Sequence, residues 1–127
     1  MEVNKLRIQA DKYFEYACEK LGISNVLPDV SILPERNQKA ILAFYKLSVI
    51  IQCVNEGWVP DWQDCGQYKY YPWFEVNSAG LGYSYTLYTV SNTSASIGSR
   101  LCFKTRQLAR EWGQKLLPLY EDYLLIK

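Results

Sequence analysis

The chain has 127 residues, 49% of them hydrophobic and 21% charged, with 14 Lys and Arg against 13 Asp and Glu, and no histidine. That length predicts one domain, residues 1–127, burying about two-thirds of its unfolded surface, and the composition excludes a disordered chain. A net charge of +1 excludes a strong long-range field of either sign, and the missing histidine excludes a mixed cysteine–histidine zinc site.

From Val3 to Leu21 the apolar positions Val3, Leu6, Ala10, Tyr13, Phe14, Ala17 and Leu21 fall at spacings of three and four. That pattern predicts an amphipathic helix, with Gly22 as its stop. Residues 23–33 form a loop with six large aliphatic side chains, which predicts a segment lying across the core and covering it. Pro34 suits the first turn of a second helix, because its missing N–H would be unbonded there anyway. Ala40, Ile41, Phe44, Leu47, Ser48, Ile51 and Val54 continue that helix toward Gly57, and Tyr45, Val49 and Ile50 make it apolar on most sides. Such a helix belongs in the middle of a domain.

Beyond Gly66 the period changes from helical to alternating. Residues 67–76, 81–90 and 96–104 read as strands rich in Tyr, Thr, Val, Ile and Phe. The turn clusters at 77–80 and 91–94 are short enough for hairpins. Pro72 lacks a ladder donor and places the first strand at a sheet edge. Thr105 can cap a last helix running to about Leu124, with Pro118 interrupting its final third. The expected fold is therefore α+β: two N-terminal helices, a three-stranded antiparallel β-meander, and a C-terminal helix packed on one sheet face.

The densest chemical signal is Trp58–Phe74, which holds seven aromatic rings in seventeen residues beside one basic side chain, Lys69. Strand parity puts Leu81, Tyr83, Tyr85 and Leu87 on one face of the second strand and Ile97, Ser99, Leu101 and Phe103 on one face of the third, both core-facing. The opposite face then shows Ser84, Thr86 and Tyr88 beside Arg100, Cys102 and Lys104, joined by either Lys69, Tyr71 and Trp73 or Tyr68 and Tyr70. An open face of that kind stacks rings and contacts phosphates. The competing reading is a second minor core, capped by the 23–33 segment or the 57–66 loop. The candidate binding residues are Trp58, Trp62, Lys69, Tyr71, Trp73, Tyr88, Arg100 and Lys104.

Other chemistries find less support. Asp61 and Asp64, with Glu56 and Glu75, could converge on a divalent metal, but their spacing is that of an ordinary loop. A serine or cysteine nucleophile would lack a histidine to activate it. Cys18, Cys53, Cys65 and Cys102 form no close pair, and Gly80-Leu-Gly82 precedes a strand, so it is no phosphate cradle. No cofactor and no metal are expected. Charge is uneven along the chain, with residues 47–99 acidic and residues 100–127 basic, and the basic tail suits either a polyanion or a solvated helix face.

The strings Asn55-Glu-Gly-Trp-Val-Pro-Asp-Trp62, Lys69-Tyr-Tyr-Pro-Trp-Phe74 and Gly98-Ser-Arg-Leu-Cys-Phe-Lys-Thr105 resemble small proteins of gut Bacteroidales genomes and their phage-like or mobile elements. The resemblance covers about residues 40–125. That family carries no assigned activity, so it implies only a bacterial, cytoplasmic, phage-related setting. Neither a signal core nor an apolar run of membrane-spanning length is present, which also predicts a cytoplasmic protein. The function expected is non-enzymatic binding of a protein partner or a second copy through an aromatic-rich surface. The alternatives are single-stranded nucleic-acid binding and, more remotely, a carboxylate–metal enzyme.

Overall fold

The computed structural model describes residues 2–64, 66–77, 80–89 and 100–126. Their architecture corrects the expected layout. Four helices, α1 (Glu2–Leu21), α2 (Glu35–Val54), α3 (Arg106–Lys115) and α4 (Leu117–Leu124), accompany a two-stranded antiparallel sheet of β1 (Lys69–Asn77) and β2 (Gly80–Thr89). No three-stranded meander exists among the described residues. The expected third strand survives there as one antiparallel bridge, in which Tyr70 and Phe103 exchange both backbone bonds at 3.1 and 2.7 Å. That bridge lies on the β1 side of the sheet. The expected turn at 91–94 and residues 96–99 lie outside the described residues.

Local chemistry sets the helix ends. Gly22 sits at φ +69°, and the Ile23 and Gly22 N–H groups donate to the Cys18 and Glu19 carbonyls, closing α1 with a left-handed cap that glycine adopts without strain. The Thr105 hydroxyl accepts from the Leu108 N–H at 3.1 Å and starts α3. The expected single C-terminal helix breaks at Leu116, and Pro118 lies in the first turn of α4, where its missing N–H costs nothing.

Helix α2 packs against α1 and α4, while α3 lies on both strands and α4 reaches β2. The shared core gathers Ala10, Phe14 and Ala17 of α1, Leu47, Ile50 and Ile51 of α2, and Leu116, Leu119 and Tyr120 at the α3–α4 junction, with Phe103 fully buried among them. Arg7 of α1 forks onto buried Asp122 of α4 at 2.7 and 3.2 Å, tying the two ends of the chain together. The 23–33 segment does not cover this core. Ile23, Val26, Leu27 and Ile32 are exposed, Ile32 to 91%. Its backbone is tied by an Asp29–Ser31 turn and a Val30–Leu33 turn rather than by packing.

The sheet carries one irregularity that decides its faces. Pairing steps from Trp73↔Tyr85 to Phe74↔Tyr83, so Ser84 is an extra residue in β2. A bulge of this kind resets the two-residue alternation. Leu81 and Tyr83 point inward as expected, but Tyr85 and Leu87 turn outward and Thr86 turns inward, where it is buried and bonded to the Tyr83 hydroxyl at 2.7 Å. The backbone groups of Tyr70 point to Phe103, so by alternation those of Pro72 also point away from β2. The missing Pro72 N–H therefore costs the ladder nothing.

Candidate functional site

Seven of the eight sequence-derived candidates separate into three settings instead of one platform, and Lys104 stands apart from all three. Tyr71 and Trp73 lie on the outer face of the hairpin with Tyr85 and Leu87. Trp73 and Tyr85, 43% and 49% exposed, sit side by side with ring centroids 6.4 Å apart and planes at 26°. Beside them the Ser84 hydroxyl donates to Glu75 at 3.2 Å, fixing the bulge from the solvent side.

Tyr88 falls on the other face, at the end of the sheet that α3 leaves uncovered. It stacks on Tyr68 at 4.8 Å and 17°, and Tyr70 stands 6.3 Å away. The Arg106 guanidinium lies 5.2 Å from the Tyr70 ring and 5.9 Å from Tyr88, and donates to the Thr86 carbonyl at 3.2 Å. That carbonyl points away from β1, so Arg106 occupies a hydrogen-bonding position on that edge of β2. Sequence reasoning missed Arg106 because it follows the Thr105 cap, outside the strands whose faces were compared, and missed Tyr85 because parity alone placed it in the core.

The third setting is a cleft of about 550 Å³ where the end of α2 meets the 58–62 loop and the 100–102 segment. Trp58, Trp62 and Arg100 line it, with Cys102 at its base. Lys69, expected on the open face, is instead fully buried behind Trp62. Its ammonium lies 5.1 Å from the Trp62 ring and donates to the Asp64 and Gln67 carbonyls, each at 3.1 Å. The loop folds over it because Asp61 and Asp64 each accept a backbone N–H two residues on, from Gln63 and Gly66. The outer face is thus covered at its Lys69 end and open at its Trp73 end.

Lys104 stands outside the cleft, 3.5 Å from Glu56. Buried Asn55 holds the segment between them: its amide donates to the Cys102 carbonyl at 2.9 Å, and its carbonyl oxygen accepts from the Lys104 N–H at 3.0 Å. The four carboxylates proposed as a metal cluster are engaged separately in these turns, in the Lys104 pair and with Ser84. Among the described residues no group of three or more metal-ligating side chains converges. No described helix is long and apolar enough to cross a membrane.

Burial pushes the Cys102 thiol up to about 12, against the opposing pull of the Lys69 charge, and pushes the Tyr120 phenol well above its ordinary range. Both groups stay protonated in the native state after the unfolded chain has begun to ionise. Above the thiol's ordinary pKa the unfolded state therefore binds fewer protons, and stability falls as pH rises. Denaturant unfolding of the wild type and Cys102→Ala should diverge by about 1.4 kcal/mol per pH unit between pH ~9 and ~11, the wild type losing more. Parallel slopes would show that the thiol does not titrate on unfolding.

No known family model, curated protein or solved structure matches this chain.

Proposed function

We propose that this is a non-enzymatic binding protein that associates with a second copy of itself through the outer face of the β1–β2 hairpin. The observation that carries the reading is the Trp73–Tyr85 pair, two large rings set side by side with planes at 26° and nearly half exposed, next to the Ser84 bulge. Tryptophan and tyrosine are enriched among the few residues that dominate protein contacts, and they lose little conformational freedom on burial. A net charge of +1 offers no repulsion between copies, and it is too balanced to hold a polyanion tightly without local help.

Sedimentation equilibrium tests it. The wild type should self-associate, with a constant that changes little between low and high salt. Trp73→Ala with Tyr85→Ala should weaken association by about thirtyfold while unfolding stability changes by about 1 kcal/mol or less. A wild type that stays monomeric up to about 1 mM sinks the reading, since its dissociation constant would then exceed any useful range.

The second reading, single-stranded nucleic acid, is supported by the Tyr68–Tyr88 stack with Arg106 beside it. Stacked rings with an adjacent guanidinium accept bases without sequence preference. Binding that weakens steeply with added salt and depends on Tyr88 and Arg106, not on Trp73, would favour it.

A further inference from the structure

We propose that the cleft at the C-terminal end of α2 binds a small planar anion, an aromatic ring carrying a carboxylate or a phosphate. The site is distinct from the outer hairpin face and does not depend on self-association. Its volume of about 550 Å³ lies within the range of small-molecule pockets. Trp58 and Trp62, both half-buried, supply flat walls for a ring, and Ile51 and Pro60 add apolar surface between them.

Charge then selects the ligand. Arg100 lines the cleft, is exposed, and has neither an ion pair nor a hydrogen bond to any described residue. A planar guanidinium is matched to the forked oxygens of carboxylates and phosphates. Behind the Trp62 wall the Lys69 ammonium adds a second positive charge, and it donates to two neutral carbonyls, of Asp64 and Gln67. No carboxylate among the described residues lines the cleft. Asp61 and Asp64 share the loop, but their Oδ1 atoms are turned onto the Gln63 and Gly66 N–H groups.

The other large hollows lack this bias. The groove of about 610 Å³ between α1, α2 and α3 sets Lys20 against Glu56, and the hollow of about 370 Å³ beside α4 mixes Arg36 and Lys39 with Glu35 and Asp122. Only the Trp58–Trp62–Arg100 cleft, of these three, joins stackable rings to a positive charge with no carboxylate among the described lining residues. A ligand anion would give this exposed, cleft-lining arginine a partner.

Naphthoate and naphthyl phosphate are suitable probes, with naphthamide as the neutral planar control and cyclohexanecarboxylate as the non-planar anion. The four tryptophan indole N–H signals, read by NMR, report where each binds. The Trp58 and Trp62 signals should move with at least one of the two planar anions, while Trp73 and Trp112 stay still. Binding of one planar anion alone identifies the headgroup. Arg100→Gln should weaken binding about tenfold, the scale of one charge-assisted contact, with the melting temperature unchanged. Arg110→Gln, at an exposed arginine on α3 outside the cleft, should leave binding as it is. The proposal is overturned if no planar anion binds, if naphthamide or cyclohexanecarboxylate binds equally well, if Trp73 alone responds, or if Arg100→Gln binds like the wild type. Response at Trp73 alone would still leave the outer-face reading standing, so the two fail separately.

Discussion

Replacing Gly113 with valine should unfold the protein or leave it only marginally stable, and even Gly113→Ala should cost about 1–3 kcal/mol. Gly113 is the point where α3 presses on the sheet. A Cβ placed there would come within 2.7 Å of the Pro72 Cβ and 3.2 Å of a Tyr83 ring carbon. Alanine in a helix interior ordinarily gains about 1 kcal/mol over glycine, so the sign depends on whether Pro72 can yield. It cannot rotate away, because its side chain is closed onto its own backbone in the middle of β1. The helix would have to lift off the strands, opening the contacts around Tyr83 and Thr86. Chemical denaturation followed by circular dichroism checks the result. An alanine variant more stable than the wild type would mean that α3 has room to move and that the close approach is not required.

Asn55→Ala should cost about 2–4 kcal/mol, because it strands two backbone groups at once, the Cys102 carbonyl and the Lys104 N–H. Asn55→Asp discriminates this from simple loss of volume. The carboxylate would still accept from Lys104 but would face the Cys102 carbonyl with an acceptor where a donor is needed, so it should be nearly as damaging as alanine. The loss should also reach the cleft, since the segment that Asn55 anchors carries Arg100 at one end and the Tyr70–Phe103 bridge at the other. Hydrogen exchange would show it: the Phe103 and Lys104 amides should lose protection before those of α1. An Asn55→Asp variant of wild-type stability would contradict the assignment of its amide as the donor.

How far the sequence could be read depended on how local each determinant was. The Thr105 cap, the Gly22 stop and the break near Pro118 each need only a few neighbouring residues, and their chemistry is visible in the letters. The strand faces could not be read in the same way. Strict alternation put Tyr85 and Leu87 inside and Thr86 outside, and one extra residue at Ser84 reversed all three. Nothing about a serine in a strand signals a bulge, because the extra residue is defined by what the partner strand lacks. The third strand failed for a similar reason. Residues 100–104 have strand-like composition, yet they meet β1 at Tyr70 alone and then turn to start α3.

The candidate site divided along the same line. Trp58, Trp62 and Arg100 were identified from residue type and do share one cleft, while Lys69 was assigned to solvent and is buried. Its burial follows from the Asp61 and Asp64 turns, which bring the Trp62 ring and two carbonyls onto its ammonium. Summing charges along the chain cannot anticipate that. In the 23–33 segment the error ran the other way. Its six aliphatic residues read as core cover, but backbone turns hold it on the surface with Ile32 almost wholly in solvent.

By itself, the order of residues determined the Gly22 stop, the Thr105 start and the break near Pro118, and how much aromatic surface the molecule must place, since caps and composition act over one or two turns of chain. Tertiary structure alone decided which rings face outward, which cation is hidden, and where the cleft opens. Those outcomes depend on register between strands and on loops closing over distant side chains, and neither is encoded within any single segment.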